Sequence, residues 1–148
     1  MRVLLDNSVL IGYLGSRSPE TSAAFALFGA AQRGAFTLLL VEGVVDELIR
    51  KLREPPDLAA RIRRADADQL IDVLRSMSEP VSSLTEPYPE VGRDRGDDYL
   101  IAHAVLADAD WLVSWDKDLL DLGEIDGLVI ADPPRLLAAL RDAGLLDP

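Results

Sequence analysis

Short runs of Val, Leu and Ile alternate along the chain with longer segments in which apolar residues recur every three or four positions. Runs of this length and composition are typical of strands buried on both faces of a parallel sheet. The pattern predicts four such strands, at residues 3–5, 36–41, 111–114 and 128–130. The segment 78–96 reads as a loop, with room for a further short strand near Val81.

The segments between these runs have the spacing of amphipathic helices. Ser18 and Pro19 predict the N-cap and first position of one helix, and Asp132 and Pro133 those of the last, which Gly144 is placed to end. The apolar stripes of three helices are Ala23, Ala24, Leu27, Phe28 and Ala31; Val44, Val45, Leu48, Ile49 and Leu52; and Ala67, Leu70, Ile71 and Leu74.

Residues 99–107 are apolar nearly all round, which predicts a helix buried in the middle of the fold. The sequence Glu54-Pro55-Pro56-Asp57 predicts a break between two helices. Strands that alternate with helices indicate a parallel sheet covered on both faces. We therefore predict a three-layer α/β/α fold with a central, mainly parallel sheet of four or five strands.

The length of 148 residues fits one domain, so we expect residues 1–148 to form a single unit. The chain contains no run of about 18 apolar residues, so no membrane span is predicted. The first 14 residues contain one basic residue and an acid within their apolar stretch, unlike a signal peptide. We expect a cytoplasmic protein.

The chain has no cysteine, which excludes disulfides, thiolate catalysis and zinc–cysteine sites. The net charge of −11 argues at first against nucleic acid, because phosphate binding depends on Lys and Arg. Acidic residues nevertheless concentrate between residues 94 and 126, and basic residues between 50 and 64. Candidate phosphate-binding residues in this basic segment are Arg50, Lys51, Arg53, Arg61 and Arg64. Charge alone favours the alternative that these are solvated helix faces.

Acidic residues also follow the predicted strands or begin helices beside them. In open parallel sheets functional groups gather at the carboxyl ends of the strands, so four separate segments are expected to bring acids to one end. Mg²⁺ and Mn²⁺ prefer such oxygen ligands, and clustered carboxylates without a cation repel one another. The acids are Asp6, Glu47, Asp97, Asp98, Asp116 and Asp118.

Each acid also has a purely structural interpretation. Asp6 could cap the helix that begins near Ser8, and one of Asp97 and Asp98 is expected to be an N-cap. The segment WDKDLLD could be a solvated turn, and Glu47 could be a surface acid of an amphipathic helix. The joint arrangement favours a common site.

Three segments resemble the PIN-domain family. VLLDNSVLIGYL resembles its first strand and active-site turn, and VVDELIRKL resembles the helix that carries its glutamate. DDYLIAHAVLADADWLVSWDKDLL resembles its second signature, an Asp before an apolar helix, then a strand, then Ser, any residue, Asp, any residue, Asp. The resemblance extends from residue 1 to about 130 and matches in order and spacing.

The resemblance implies a Mg²⁺- or Mn²⁺-dependent nuclease. Asp98 is preferred to Asp97 as a ligand because it stands four residues before Ala102. Asn7 replaces the more usual Thr. By resemblance, the core catalytic acids and metal ligands are Asp6, Glu47, Asp98 and Asp116, with Asp118 as an auxiliary ligand and with Ser114, Asp97 and Asn7 in support.

The GRDRGDD segment further resembles VapC-like ribonucleases, the toxins of toxin–antitoxin pairs. The resemblance implies cleavage of single-stranded RNA, a homodimer and an antitoxin protein as partner. A haloacid-dehalogenase-type phosphatase is disfavoured because Ser8 stands where that chemistry requires a second Asp. A PIN fold that binds nucleic acid or protein without catalysis remains an alternative. His103 and Trp115 are expected to have packing roles, although Trp115 could stack on a base.

Overall fold

The computed structural model describes residues 1–53, 62–92 and 95–147. Its strands are β1 (Arg2–Leu5), β2 (Thr37–Val41), β3 (Glu79–Val81), β4 (Trp111–Val113), β5 (Glu124–Ile125) and β6 (Leu128–Ala131). They form one sheet of order β3-β2-β1-β4-β6-β5, in which all neighbours are parallel except β5 and β6. The predicted mainly parallel α/β fold is confirmed, with six strands in place of four or five.

The centre of the sheet is built from apolar runs without polar alternation. Leu4 of β1 lies opposite Leu39 of β2 on one side and Leu112 of β4 on the other, and all three are almost fully buried. Burying a leucine side chain stabilises the fold by about 1.5–3 kcal/mol. These three leucines therefore stabilise the core through their side chains, while their backbones form the sheet.

Helices flank the sheet, and their apolar stripes face the core as predicted. Val45, Leu48, Leu70 and Leu74 are all buried. The helices are α1 (Asn7–Leu14), α2 (Ala23–Gln32), α3 (Glu42–Arg53), α4 (Arg64–Met77), α5 (Arg95–Leu106), α6 (Lys117–Leu120) and α7 (Pro133–Asp142), with a 3-10 turn at Pro19–Thr21.

The ends of two helices test the predicted capping residues. The N-cap prediction at Ser18 is wrong for α2, because Pro19 begins only the 3-10 turn and Ser22 caps the α-helix, accepting a hydrogen bond from the Phe25 N–H. Asp132 caps α7 as predicted. Gly144 follows that helix with a φ of 73°, a left-handed conformation that favours glycine.

Helix α5 is less buried than its apolar sequence predicts. Leu100, Ile101 and Ala104 are buried, but Val105 and Leu106 at its end are exposed. Residues 99–104 are thus all buried or half-buried, and the prediction of a helix buried all round is wrong only for its last turn.

The strands that extend the sheet at each side have weak sequence signals. The strand anticipated near Val81 is β3, whose residues are exposed or half-buried. The two residues of β5 pair antiparallel with β6 and were not predicted. Among the described residues, no helix is long and apolar enough to cross a membrane. The helix break predicted at residues 54–57 lies outside the described residues.

The strand order positions the site. The chain leaves β1 toward β2 on one side, and β4 lies on the other, so the connections diverge at the carboxyl ends of β1 and β4. Such a switch point leaves a crevice above the sheet. The Asp6 N–H donates to the Val113 carbonyl at 2.9 Å, which ties the two strand ends together beneath the crevice.

Candidate active site

A cavity of about 700 Å³ opens at this switch point. Four of its lining residues are acids, and each comes from a different part of the chain. They are Asp6 after β1, Glu47 in α3, Asp97 in α5 and Asp116 after β4. Asn7, Ser8, Arg50 and Lys51 also line it. The structure thus gathers acids from the four predicted segments.

The Asp6 carboxylate is held by two serine hydroxyls. Ser8 Oγ and Ser114 Oγ donate to Asp6 Oδ2 at 2.9 and 2.7 Å, and the two hydroxyls are 3.2 Å apart. Within the described residues Oδ1 accepts no hydrogen bond, so Asp6 occupies the N-cap position of α1 without capping it. The serines therefore orient one carboxylate oxygen and leave the other for the cavity.

Ser114 also organises the turn after β4. Its fully buried Oγ accepts the Asp116 N–H at 2.9 Å, and Asp116 Oδ1 accepts the Asp118 N–H at 2.9 Å, which caps α6. Asp118 is half-buried and does not line the cavity. Asp116 therefore lines the cavity, while Ser114 is buried beneath it and Asp118 lies beside it, and their roles stay predictions.

The structure reverses the places expected for the two adjacent aspartates of α5. Asp97 is buried and lines the cavity, whereas Asp98 is absent from the cavity lining. Asp98 Oδ1 accepts the backbone N–H groups of Val91 and Gly92 at 2.8 and 2.7 Å. Both acids lie in the first turn of α5, so the expectation that one of them is its N-cap is wrong. Asp98 anchors the preceding loop.

Glu47 enters the cavity already paired with cations. Arg50 donates to its two carboxylate oxygens at 3.0 and 2.5 Å, and Lys51 Nζ lies 4.0 Å from Oε1. Lys51 also donates to Asn7 Oδ1 at 3.4 Å. Two cationic side chains thus stand among four carboxylates, and Asn7 is linked to them.

The other basic residues of the predicted phosphate-binding segment lie elsewhere. Arg53 is exposed at the end of α3, and Arg64 pairs with Asp68 one turn on in α4. Neither lines the cavity. Arg61 lies outside the described residues. Of the described members of this group, Arg50 and Lys51 are therefore the two that lie at the acids.

Tyr99 and Gly43 were missed by the sequence analysis. Both line the cavity, and a Cβ added to Gly43 would lie only 1.9 Å from Tyr99 Oη. Burial raises the pKa of the Tyr99 phenol, an effect that the hydrogen bond from the Gly43 N–H partly opposes. The phenol is therefore protonated at neutral pH. A glycine in the first turn of α3 was the only sequence signal for this contact.

The donor set of the cavity fits a hard cation. Carboxylate oxygens are the ligands that Mg²⁺ and Mn²⁺ prefer, and Asp6, Asp97 and Asp116 offer them from three elements. No group of three or more acids or histidines in the described part of the chain is arranged to hold a metal as it stands. A cation bound here would draw these side chains closer together, and Glu47 would exchange its contact with Arg50 for the cation if it joined them.

His103 and Trp115 differ in burial. His103 is fully buried, as expected, with Nδ1 donating to the Tyr99 carbonyl and Nε2 accepting the Leu84 N–H at 2.9 Å. Trp115 packs only in part, with its ring beside Gly12 of α1 and 46% of its surface exposed.

Comparisons with known proteins find one matching family model and a solved structure of similar fold. The model of a family described as "PIN domain" matches residues 2–118. The crystal structure of PAE2754 from Pyrobaculum aerophilum is similar in fold, with a TM-score of 0.58 and 21% sequence identity over 96% of this chain and 90% of that one. A comparison with curated proteins finds no match.

Proposed function

Because this chain belongs to the PIN-domain family, we propose that it is a metal-dependent endoribonuclease that hydrolyses phosphodiester bonds of single-stranded RNA. The family has a nuclease-type fold, and its members are generally metal-dependent nucleases. One observation carries the proposal: four carboxylates from four elements line one cavity together with two cationic side chains. A cavity of this composition suits a cation and a phosphate side by side.

The carboxylates of Asp6, Asp97 and Asp116 would hold Mg²⁺ or Mn²⁺, with Glu47 able to join them. We assign the ligand role to Asp97 in place of Asp98, whose carboxylate is engaged by the loop. When bound, the cation supplies Lewis-acid polarisation of the phosphate and lowers the pKa of a coordinated water. Asp118 remains a proposed auxiliary acid.

Other residues of the cavity would bind and orient the substrate. Arg50 and Lys51 present positive charge to a phosphate. The protonated Tyr99 hydroxyl, whose oxygen already accepts the Gly43 N–H, keeps its proton to donate to a phosphate oxygen. Ser8 and Ser114 hold Asp6 in one orientation, so that less ordering is needed when the substrate arrives.

The purified protein is expected to cleave a labelled single-stranded RNA in Mg²⁺ or Mn²⁺, and to stop in EDTA. Cleavage should return when the cation is restored. The chain offers no cysteine for catalysis, and its one histidine is fully buried and does not line the cavity. Product formation on a denaturing gel measures this outcome.

The control for this assay is a pair of matched variants prepared in parallel. Asp116→Asn removes a cavity acid, and Asp142→Asn removes an exposed acid at the end of α7. Cleavage that survives chelation, or that persists in Asp116→Asn, rules out the proposed mechanism. RNA binding without cleavage in the wild type would favour the non-catalytic binding module.

Lys51→Met is expected to weaken RNA binding and to flatten its dependence on salt. Each lost phosphate contact on a single strand should change the slope of log K against log salt by about 0.7. Arg53→Met is the matched control, because Arg53 is exposed on the same helix outside the cavity lining. Fluorescence anisotropy at several salt concentrations measures both slopes. Equal slopes for the two variants would remove Lys51 from the substrate site.

The biological role is proposed from the sequence resemblance to VapC-like ribonucleases. In this role the protein is a cytoplasmic toxin that forms a homodimer and is inhibited by an antitoxin protein. Growth arrest on induction of the wild type, but not of Asp116→Asn, tests it.

A further inference from the structure

Trp115 is a large aromatic side chain left exposed beside the acids. It stands between buried Ser114 and cavity-lining Asp116, and 46% of its surface is accessible. The second tryptophan, Trp111 of β4, is half-buried and lies beneath the Arg135 guanidinium, 5.9 Å from its ring centre. Trp115 is therefore the more accessible of the two tryptophans, and it is next to a cavity residue in the chain.

The backbone of Trp115 is fixed by the serines that orient Asp6. Its N–H donates to Ser8 Oγ at 3.0 Å, and the following N–H, of Asp116, donates to Ser114 Oγ at 2.9 Å. The same hydroxyls bond to Asp6 Oδ2. Any movement of this backbone would disturb the carboxylate, so the position of the indole is coupled to that of the acid.

The indole lies beside Gly12 of α1, just outside the residues that line the cavity. A Cβ on Gly12 would be 3.5 Å from its Nε1, so the ring edge rests against bare helix backbone. Gly12 is four residues after Ser8 and shares its face of α1. Because Ser8 lines the cavity, the ring is about one helical turn from the site.

We propose that Trp115 is a stacking platform for an unpaired base of the nucleic acid whose backbone enters the cavity. This inference rests on the proposed nuclease function and specifies its substrate as a strand with unstacked bases. Aromatic side chains bind single strands in this way, since every base has a π-face, whereas the bases of a duplex have theirs covered. Arg50 and Lys51 would bind the phosphate while Trp115 takes the adjoining base.

The test uses the 148-residue chain in Ca²⁺. A denaturing gel checks that each oligonucleotide probe stays uncleaved during the measurement. Trp111→Phe leaves Trp115 as the only tryptophan, whose fluorescence then reports on its own surroundings. The probes are a six-nucleotide single-stranded RNA and an abasic oligomer of equal length and charge. We expect the RNA to quench the fluorescence and the abasic oligomer to leave it nearly unchanged.

Affinities measured by anisotropy supply the second readout. Trp115→Ala is expected to weaken RNA binding by about 5- to 150-fold, since stacking contributes about 1–3 kcal/mol per base, and to leave abasic binding within about two-fold. Trp115→Phe should restore part of the loss.

The possible outcomes distinguish a failure of this inference from a failure of the proposed function. Equal effects of Trp115→Ala on both oligomers, or no effect on either, would overturn stacking while RNA binding by the wild type leaves the nuclease proposal standing. Failure of the wild type to bind RNA at all would overturn both. Fluorescence that changes with protein concentration alone would assign Trp115 to a protein interface and overturn stacking.

Discussion

Replacement of Asp97 by Asn is expected to reduce RNA cleavage by about 100-fold or more. The residue is buried at the cavity, and the amide keeps its size while removing the charge that would hold the cation. Metal catalysis contributes several kcal/mol, and each 1.36 kcal/mol is a factor of ten in rate. Single-turnover cleavage rates and urea unfolding of the same preparation measure the two properties separately.

The neighbouring Asp98→Asn variant is the matched control, because it makes the same chemical change one residue away. Its amide oxygen can still accept the Val91 and Gly92 N–H groups, but these hydrogen bonds lose the contribution of the negative charge. We therefore expect the free energy of unfolding to fall by about 1 kcal/mol. Cleavage should stay within a few-fold of wild type. A folded, inactive Asp98→Asn beside an active Asp97→Asn would restore the assignment made from sequence spacing.

Gly43→Ala is expected to destabilise the protein by about 1–3 kcal/mol, the usual cost of overpacking. Its Cβ would lie 1.9 Å from Tyr99 Oη and 2.3 Å from Cζ, so the tyrosine must move. That movement also displaces a cavity residue two positions after Asp97, and cleavage should fall with stability. Urea unfolding and cleavage rates measure the two effects.

The control is the same substitution at Gly12 of α1. A Cβ there meets only Trp115 atoms at ordinary contact distances, and alanine favours a helix by up to about 1 kcal/mol, so stability should be unchanged or higher. Adding Tyr99→Ala to Gly43→Ala removes the clashing ring. The double variant should therefore be less destabilised than the sum of the single variants, and simple additivity would contradict the contact.

The central strands could be predicted from the sequence because their signal is strong. The strands β1, β2, β4 and β6 contain unbroken apolar runs. Such a run has no polar face to turn to water, so it indicates a strand that is buried on both faces of the sheet. The three-residue β3 and two-residue β5 carry no such signal, since they are exposed or half-buried and owe their conformation to pairing with neighbours. Tertiary context decides such segments.

Helix phase offers a second sequence criterion for choosing between Asp97 and Asp98, beside the spacing to Ala102. Asp97 is three, four and seven residues before Leu100, Ile101 and Ala104, which are all buried, so it lies on the stripe of α5 that faces inward. Asp98 is also buried, but it lies seven residues before exposed Val105. Helix phase thus favours Asp97 and the spacing to Ala102 favours Asp98, so the choice of ligand stays a prediction for the two variants to decide.

Contacts between side chains of distant segments could not be predicted. The three-residue spacing of Glu47 and Arg50 was visible, but not that their ion pair would lie within the cavity. The approach of Tyr99 to Gly43 depends on how α3 and α5 are rotated and spaced relative to each other, which the apolar pattern of neither helix specifies. The acids were predictable as a group, and their partners were not.

The way the sheet ends limits how two copies of the chain can associate. At one side β3 is three residues long and contains Pro80, which has no backbone N–H to offer a further strand. At the other side β5 has only two residues. Short and proline-containing edges discourage strand addition and the aggregation it brings. We therefore expect a dimer to join through helices, with each sheet remaining separate.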